Sequence, residues 1–157
     1  MKDQLNISLI SQEDLIQSGC YNIPEVVDIV ESAFTARAHN KVIFPDKISV
    51  VFDEVSQNRI NCLPAGSYLE SVYGMKWVSV FPTNASKSLQ NVSGIMLLSE
   101  IETGFPIAVI DGTLLTNIRT ASVGCIAAKY LAPSTVEKIG FIGAGAEAKM
   151  HFTLFKH

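Results

Sequence analysis

Two features of this sequence are placed to do chemistry: a glycine-rich turn near its end and a pair of cations well upstream of it. Gly143-Ala144-Gly145-Ala146-Glu147-Ala148 fits the pattern G-x-G-x-x-A. The first glycine of that pattern allows a tight strand-to-helix turn, and the second lets backbone N–H groups approach a pyrophosphate. The small last residue lets the helix pack closely on the strand. The setting is the required one, because the apolar run Lys138-Ile139-Gly140-Phe141-Ile142 precedes the turn and a helical pattern follows it. A dinucleotide site on Gly143, Ala144, Gly145 and Ala146 is the sharper reading; a glycine turn without a ligand is the plainer one. The acid that would hold the ribose hydroxyls, about 20 residues further on, falls past His157.

The cations are Lys76, which interrupts the apolar run Gly74 to Phe81, and Arg119, in the first turn of a helix expected to be capped by Thr116. An arginine at the positive end of a helix gains nothing from the macrodipole, so its place asks for another partner. Two cations from different elements would clamp a carboxylate, arginine through two parallel bonds and lysine as a point charge. By spacing alone the plainer reading is a solvated lysine on an edge strand and an arginine paired with an acid. Lys47, shortly after Pro45, reads by itself as a surface lysine.

The elements that must hold these groups follow from apolar periodicity. Ile7 to Ile10 is β-prone, and Ser11-Gln12-Glu13-Asp14 starts a helix with a cap and acids in its first turn. Asn22-Ile23-Pro24 opens a stronger helix, with Val26, Val27, Val30, Ala33 and Phe34 at helical spacing and an end near Asn40. His39 there reads as a cap charge. Strand-like runs follow at 48–52, 59–63, 74–81, 93–98 and 107–110, separated by polar turns. Trp77 and its apolar neighbours read as core. An Ala-rich helix from Thr116 through Tyr130 comes next, with Cys125 as a small buried hydrophobe. Ile139 to Ile142 then reads as a parallel strand buried on both faces. The fold class expected is α/β: an α+β domain with a mainly antiparallel sheet over residues 1–115, then the first β-α unit of a Rossmann domain over residues 116–157. One such unit does not cover both faces of its own strand.

Composition removes several functions. Hydrophobic residues make up 48% of the 157 residues, enough for a packed core rather than a disordered segment. Twelve Lys+Arg against fifteen Asp+Glu give a net charge of -3, and the absence of a basic run argues against nucleic acid as a partner. No stretch approaches the roughly 18 apolar residues of a membrane span, and Met1 to Asn6 lacks the apolar core of a secretion leader. Three widely spaced cysteines suit neither a disulfide framework nor a zinc site, and none of the three histidines has metal-ligand spacing. The simplest compartment is a reducing cytoplasm.

The order of motifs then becomes recognisable. Gly74-Met75-Lys76-Trp77-Val78, Pro82-Thr83-Asn84, Glu102-Thr103-Gly104-Phe105-Pro106-Ile107-Ala108, Asp111-Gly112, Leu115-Thr116-Asn117-Ile118-Arg119-Thr120-Ala121-Ser122 and the Gly143–Ala148 turn together resemble the ornithine cyclodeaminase/μ-crystallin family, over essentially the whole chain. The resemblance implies the N-terminal portion of a two-domain, usually homodimeric, NAD-dependent enzyme, with NADP an open alternative. Its substrate would be a small α-amino acid, handled by hydride transfer through an imine in a deaminating cyclisation or a dehydrogenation. Lys76 and Arg119 would contact the amino-acid carboxylate as the catalytic pair. Lys47 would help to hold that carboxylate at a position where the cyclodeaminases carry arginine. Arg119 would also lie near the nicotinamide and its phosphates. Thr120, Asn91 (where relatives often have threonine) and the glycine turn would complete the cofactor contacts. The family's catalytic aspartate belongs to a later stretch with no counterpart in this sequence. Two further readings stand beside this one: a truncated, inactive dimerisation or binding module, and a μ-crystallin-like protein that holds NADPH and a small ligand.

Overall fold

The computed structural model describes residues 5–157; the opening stretch read above for a leader falls partly in residues 1–4, outside the described residues. The chain begins with a short strand β1 (Ser8–Ile10) and helices α1 (Gln12–Gln17) and α2 (Ile23–Ala38). Strands β2 (Val42–Ile43), β3 (Ile48–Asp53), β4 (Asn58–Ser67) and β5 (Val72–Val80) follow. A 3-10 turn (Pro82–Lys87) leads to β6 (Val92–Glu100) and β7 (Pro106–Asp111), then to helices α3 (Gly112–Leu131) and α4 (Ala146–Leu154). Among these residues no helix is long and apolar enough to cross a membrane.

Local sequence explains most boundaries. Ser11 and Asp14 form a reciprocal capping box that starts α1. Pro24 sits in the first turn of α2, where its missing N–H costs nothing, although Asn22 makes no cap bond and its amide instead donates to Glu25 at 2.7 Å. His39 closes α2, its Nδ1 2.8 Å from the Thr35 carbonyl. Phe34, expected on the packed face of α2, is 52% exposed; the buried residues there are Ile23 and Ala36.

All seven strands lie in one sheet, ordered β1-β7-β6-β5-β4-β2, with β3 sharing the β4 edge. Every pairing is antiparallel except β1 with β7. The expected antiparallel α+β architecture is therefore the observed one. Alternation along the strands fixes two faces. Asn61, Lys76, Val78, Gly94, Met96 and Ile110 occupy one face, and α3 lies over it. The other face carries Leu9, Ile48, Val50, Trp77 and Ile95, which are 79%, 66%, 54%, 41% and 42% exposed. Trp77 is thus a surface residue of this chain, because nothing in the described residues packs on its side of the sheet.

Two further expectations need correcting. Thr116 does not cap the Ala-rich helix: Asp111 does, its carboxylate accepting from the Thr113 and Leu114 N–H groups, and α3 begins at Gly112. Gly112 is required there because a Cβ would meet the β6 backbone of Gly94 and Ile95 at 3.0 Å. Residues 138–142 form no strand, and Ile139, Phe141 and Ile142 are 51%, 40% and 107% exposed. A parallel strand exists only through ladder bonds to neighbours, and none of the seven strands lies beside it. The helix of that β-α unit forms nonetheless, because Leu154 of α4 buries against Ala121 of α3 and Ile23 of α2, with Val27, Cys125 and Met150 around them.

Candidate active site

The site is built where β5 passes under α3. Lys76 faces the helix because its neighbours Met75 and Trp77 point to the opposite face of the sheet. Its Nζ donates to the Thr116 hydroxyl at 3.3 Å, and that hydroxyl donates in turn to the Gly112 carbonyl at 2.6 Å. Thr116 is buried and so holds a fixed acceptor in front of the ammonium. Arg119 lies three residues further along α3, on the same side of the helix. It is the eighth residue of α3 and not in the first turn, so the macrodipole argument made from the sequence does not apply. It remains exposed, with no carboxylate partner among the ion pairs of the described residues.

Electrostatics tie these groups together. Burial, followed by repulsion from Arg119, lowers the pKa of Lys76 from 10.5 to about 8, and the charge of Glu147 works against that fall. Glu147, in the first turn of α4, is raised by burial and pulled back by His151, Arg119 and Lys76. Its Oε2 is 3.9 Å from His151 Nδ1. Two cations without an ion-pair partner among the described residues, beside a fixed hydroxyl, suit a small anion, and a planar carboxylate suits the guanidinium.

The glycine turn leads directly into α4. Gly143 adopts φ +99, the left-handed region that favours glycine, and Gly145 precedes the helix with no side chain capping its first N–H groups. A Cβ at either glycine would meet nothing within 4 Å, so an approaching group finds open space in front of the helix N-terminus. These features fit a pyrophosphate held by the backbone of Gly143 to Ala146. Nearby, a cavity of about 310 Å³ runs between α3, α4 and the loop before β6, lined by Gln90, Thr113, Asn117, Ala146 and Lys149 among others.

The remaining residues expected from sequence are placed as follows. Thr120 is half-buried and donates its hydroxyl to the Thr116 carbonyl at 2.7 Å. Asn91 is exposed next to Gln90 of the cavity, and its carbonyl accepts from the Phe81 N–H at 2.7 Å. Lys47 is exposed just ahead of β3 and makes no hydrogen bond to the clamp. Continuing the ladder by one residue sets it in the cross-strand row of Leu63 and Lys76, two strands or about 10 Å from Lys76. Sequence reasoning missed Thr116 as a partner of Lys76, and it missed Glu147. The i, i+3 spacing of Thr116 and Arg119 was a signal for the first, and an acid inside a phosphate-type turn was one for the second.

The family model for the ornithine cyclodeaminase/mu-crystallin family matches residues 10–157. The chain belongs to this family. It is 37% identical over 140 residues to an alanine dehydrogenase of Archaeoglobus fulgidus, a match covering 89% of this chain and 41% of that protein. Among solved structures it resembles an archaeal alanine dehydrogenase dimer with bound NAD (TM-score 0.84, 34% identity, 94% of this chain and 44% of that one). It also resembles the Thermococcus litoralis Δ(1)-pyrroline-2-carboxylate reductase in complex with NADH and L-proline (TM-score 0.87, 30% identity, 94% of this chain and 45% of that one). The chain thus spans less than half the length of these relatives.

Proposed function

We propose that this family member contributes the carboxylate clamp and the opening of the nucleotide site of an NAD-dependent enzyme acting on a small α-amino acid. The observation that carries this reading is Lys76: a lysine set into a sheet face under α3, held by buried Thr116 and accompanied by Arg119. Lys76 and Arg119 hold the substrate carboxylate, and Thr116 fixes the direction of the lysine. Lys47, from the same cross-strand row, approaches the far side of the substrate. The backbone of Gly143 to Ala146 holds the pyrophosphate, with Asn91, Arg119 and Thr120 toward the rest of the nucleotide. When bound, the nicotinamide would accept the hydride of the amino-bearing carbon, leaving an imine once the nitrogen gives up a proton. In this reading residues 1–115 bind substrate and dimerise, and residues 116–157 open the nucleotide-binding unit.

The homodimer is part of the same proposal. The accessible surface of the chain is 10955 Å², against about 7,700 Å² for a compact monomer of its mass. Part of the excess is apolar surface on the open sheet face, with Leu9, Ile48, Val50, Trp77 and Ile95. Such an apolar sheet face, open on one side, is a candidate surface for a second copy.

Amide NMR titration of the chain with propionate tests the clamp. Saturable shifts at Lys76, Thr116 and Arg119 that vanish in R119A are expected. Absence of such shifts at high ligand concentration, or shifts that R119A leaves unchanged, would overturn the reading.

A further inference from the structure

Asn61 is buried, at 7% exposure, on the sheet face that carries Lys76, and only one end of its amide is bonded. The Ser49 hydroxyl, opposite it on β3, donates to Asn61 Oδ1 at 2.8 Å. The amide nitrogen, on the other edge of the same group, is turned away from Ser49 and makes no hydrogen bond among the described residues. It is not sealed in either: among these residues the buried side-chain polar atom left without a partner is Ser56 Oγ. A buried amide is normally bonded at both ends, because an unmet donor costs stability. A pin between β3 and β4 accounts for the bond to Ser49 and leaves the free N–H groups unexplained. Asn61 thus holds a donor open toward the space in front of the sheet.

The ladder register sets this donor beside the clamp. Asn61 pairs with Val78 and Leu63 with Lys76, so Asn61 and Lys76 are diagonal cross-strand neighbours, about 7–8 Å apart. Arg59 lies two residues along β4 on the same face, and Lys47 falls in the row of Leu63 when the ladder is continued by one residue. The rows through Lys76, Val78 and Val80 therefore carry the cations Lys47, Arg59 and Lys76 and no acid. Arg59 donates one N–H to the Gln57 carbonyl at 3.0 Å, and neither Arg59 nor Lys47 belongs to an ion pair of the described residues. Such a floor repels a second ammonium group and attracts a second carboxylate.

We propose that Asn61, held by Ser49, is a side-arm subsite beside the clamp, and that the substrate is an acidic α-amino acid. The assignment rests on the carboxylate-clamp reading above. The α-carboxylate lies on Lys76 and Arg119, and the side-chain carboxylate accepts a hydrogen bond from the Asn61 amide. Lys47 and Arg59, in the rows on either side of Asn61, add favourable charge. Ser49 is a positioning residue: its bond to Oδ1 keeps the donor edge of the amide toward the ligand. Without that bond the amide is free to turn its oxygen outward and repel the carboxylate. The subsite selects against amino acids whose side arm ends in a cation or a methyl group.

The test titrates the chain with L-glutamate, L-glutamine, L-norvaline and L-ornithine, which share the α-amino and α-carboxyl groups and differ at the end of the side arm. Binding is followed by backbone amide shifts at Lys76, Thr116 and Arg119 and by the side-chain amide signals of Asn61. Wild type is expected to bind L-glutamate about tenfold tighter than L-norvaline, the worth of one charge-assisted hydrogen bond. L-glutamine should fall between them and L-ornithine last, with the Asn61 side-chain signals moving for L-glutamate and L-glutamine only. N61D should invert the order, placing L-ornithine above L-glutamate, and S49A should lower the ratio of L-glutamate to L-norvaline. Equal affinities for L-glutamate and L-norvaline, Asn61 side-chain signals that stay still, or a preference that N61D leaves unchanged overturns the side-arm subsite and leaves the clamp standing. Failure of wild type to bind any of the four overturns the clamp itself. The wild-type series and the Asn61 signals decide the matter even if N61D does not fold.

Discussion

Replacing Lys76 by methionine should make this protein more stable and unable to bind a carboxylate. Lys76 lies half-buried between β5 and α3, and its pKa falls from 10.5 to about 8, first through burial and then through Arg119. At about 1.4 kcal/mol per pH unit that displacement corresponds to about 3 kcal/mol against the charged form. The side chain keeps part of its hydration, and screening brings the figure to about 1–2 kcal/mol. Methionine matches the unbranched stem and gives up the bond to Thr116, a loss of about 0.5–1 kcal/mol. The net gain at pH 7 is then about 1 kcal/mol, or about 2–4 °C in Tm for a chain of this size. The pH dependence is the sharper signature. Because the folded pKa lies below the unfolded one, the folded state releases the proton first. Below about pH 8 both states are charged and the whole penalty stands; it is relieved as pH rises from about 8 to 10.5. Urea denaturation of wild type and K76M at pH 7, 9 and 10.5 measures this, and the advantage of K76M should shrink across the series. A variant less stable than wild type at pH 7, or an advantage independent of pH, would refute the view that Lys76 is held charged against its surroundings for binding.

Propionate affinity of the wild-type chain should fall several-fold between pH 7 and 9.5, as Lys76 loses its proton through about 8, with isothermal titration as the measurement. R119K should weaken propionate by about tenfold despite keeping the charge, because an ammonium does not replace a planar fork; R119A should also raise the Lys76 titration, read by the ¹³Cε shift. G124A should destabilise the chain by about 1–2 kcal/mol through the clash with His151, even though Gly→Ala in a helix interior otherwise gains about 1 kcal/mol. The double variant G124A/H151A should recover that loss in thermal unfolding. V50D, on the open sheet face, should shift sedimentation toward the monomer, whereas a wild type that is monomeric at all concentrations would refute the dimer.

The sheet was readable from the sequence because antiparallel neighbours are also neighbours in the chain, so each strand and its turn are locally specified. Lys76 stood out for the same reason, as a charge in an alternating apolar run. What escaped was information carried between distant segments. Asp111 outcompetes Thr116 as the cap because Gly112 must touch β6, a constraint absent from the helix's own sequence. Trp77 and Phe34 look like core residues until the sheet's open side and the free flank of α2 are seen. Residues 138–142 have the composition of a buried strand, but burial comes from neighbouring strands, and composition does not supply them. Glu147 could be noticed as an anomaly in its turn, but its relation to Lys76 and Arg119 depends on how α4 docks.

That docking gives α3 a second role. Residues 138–142 form no strand, and the contacts that hold α4 to the rest of the chain lie toward its other end, at Leu154 on Ala121 and His151 on Gly124. Thr116 and Arg119, which with Lys76 make the proposed clamp, lie on the same helix. From Thr116 to Gly124 the rise is about 12 Å along one axis. The proposed carboxylate clamp and the support of the glycine turn therefore lie along one helix. In the proposed reading, a change in α3 that tilts one tilts the other, so the helix would set the placement of substrate relative to nucleotide. The sheet places the lysine, but α3 sets where everything else stands relative to it.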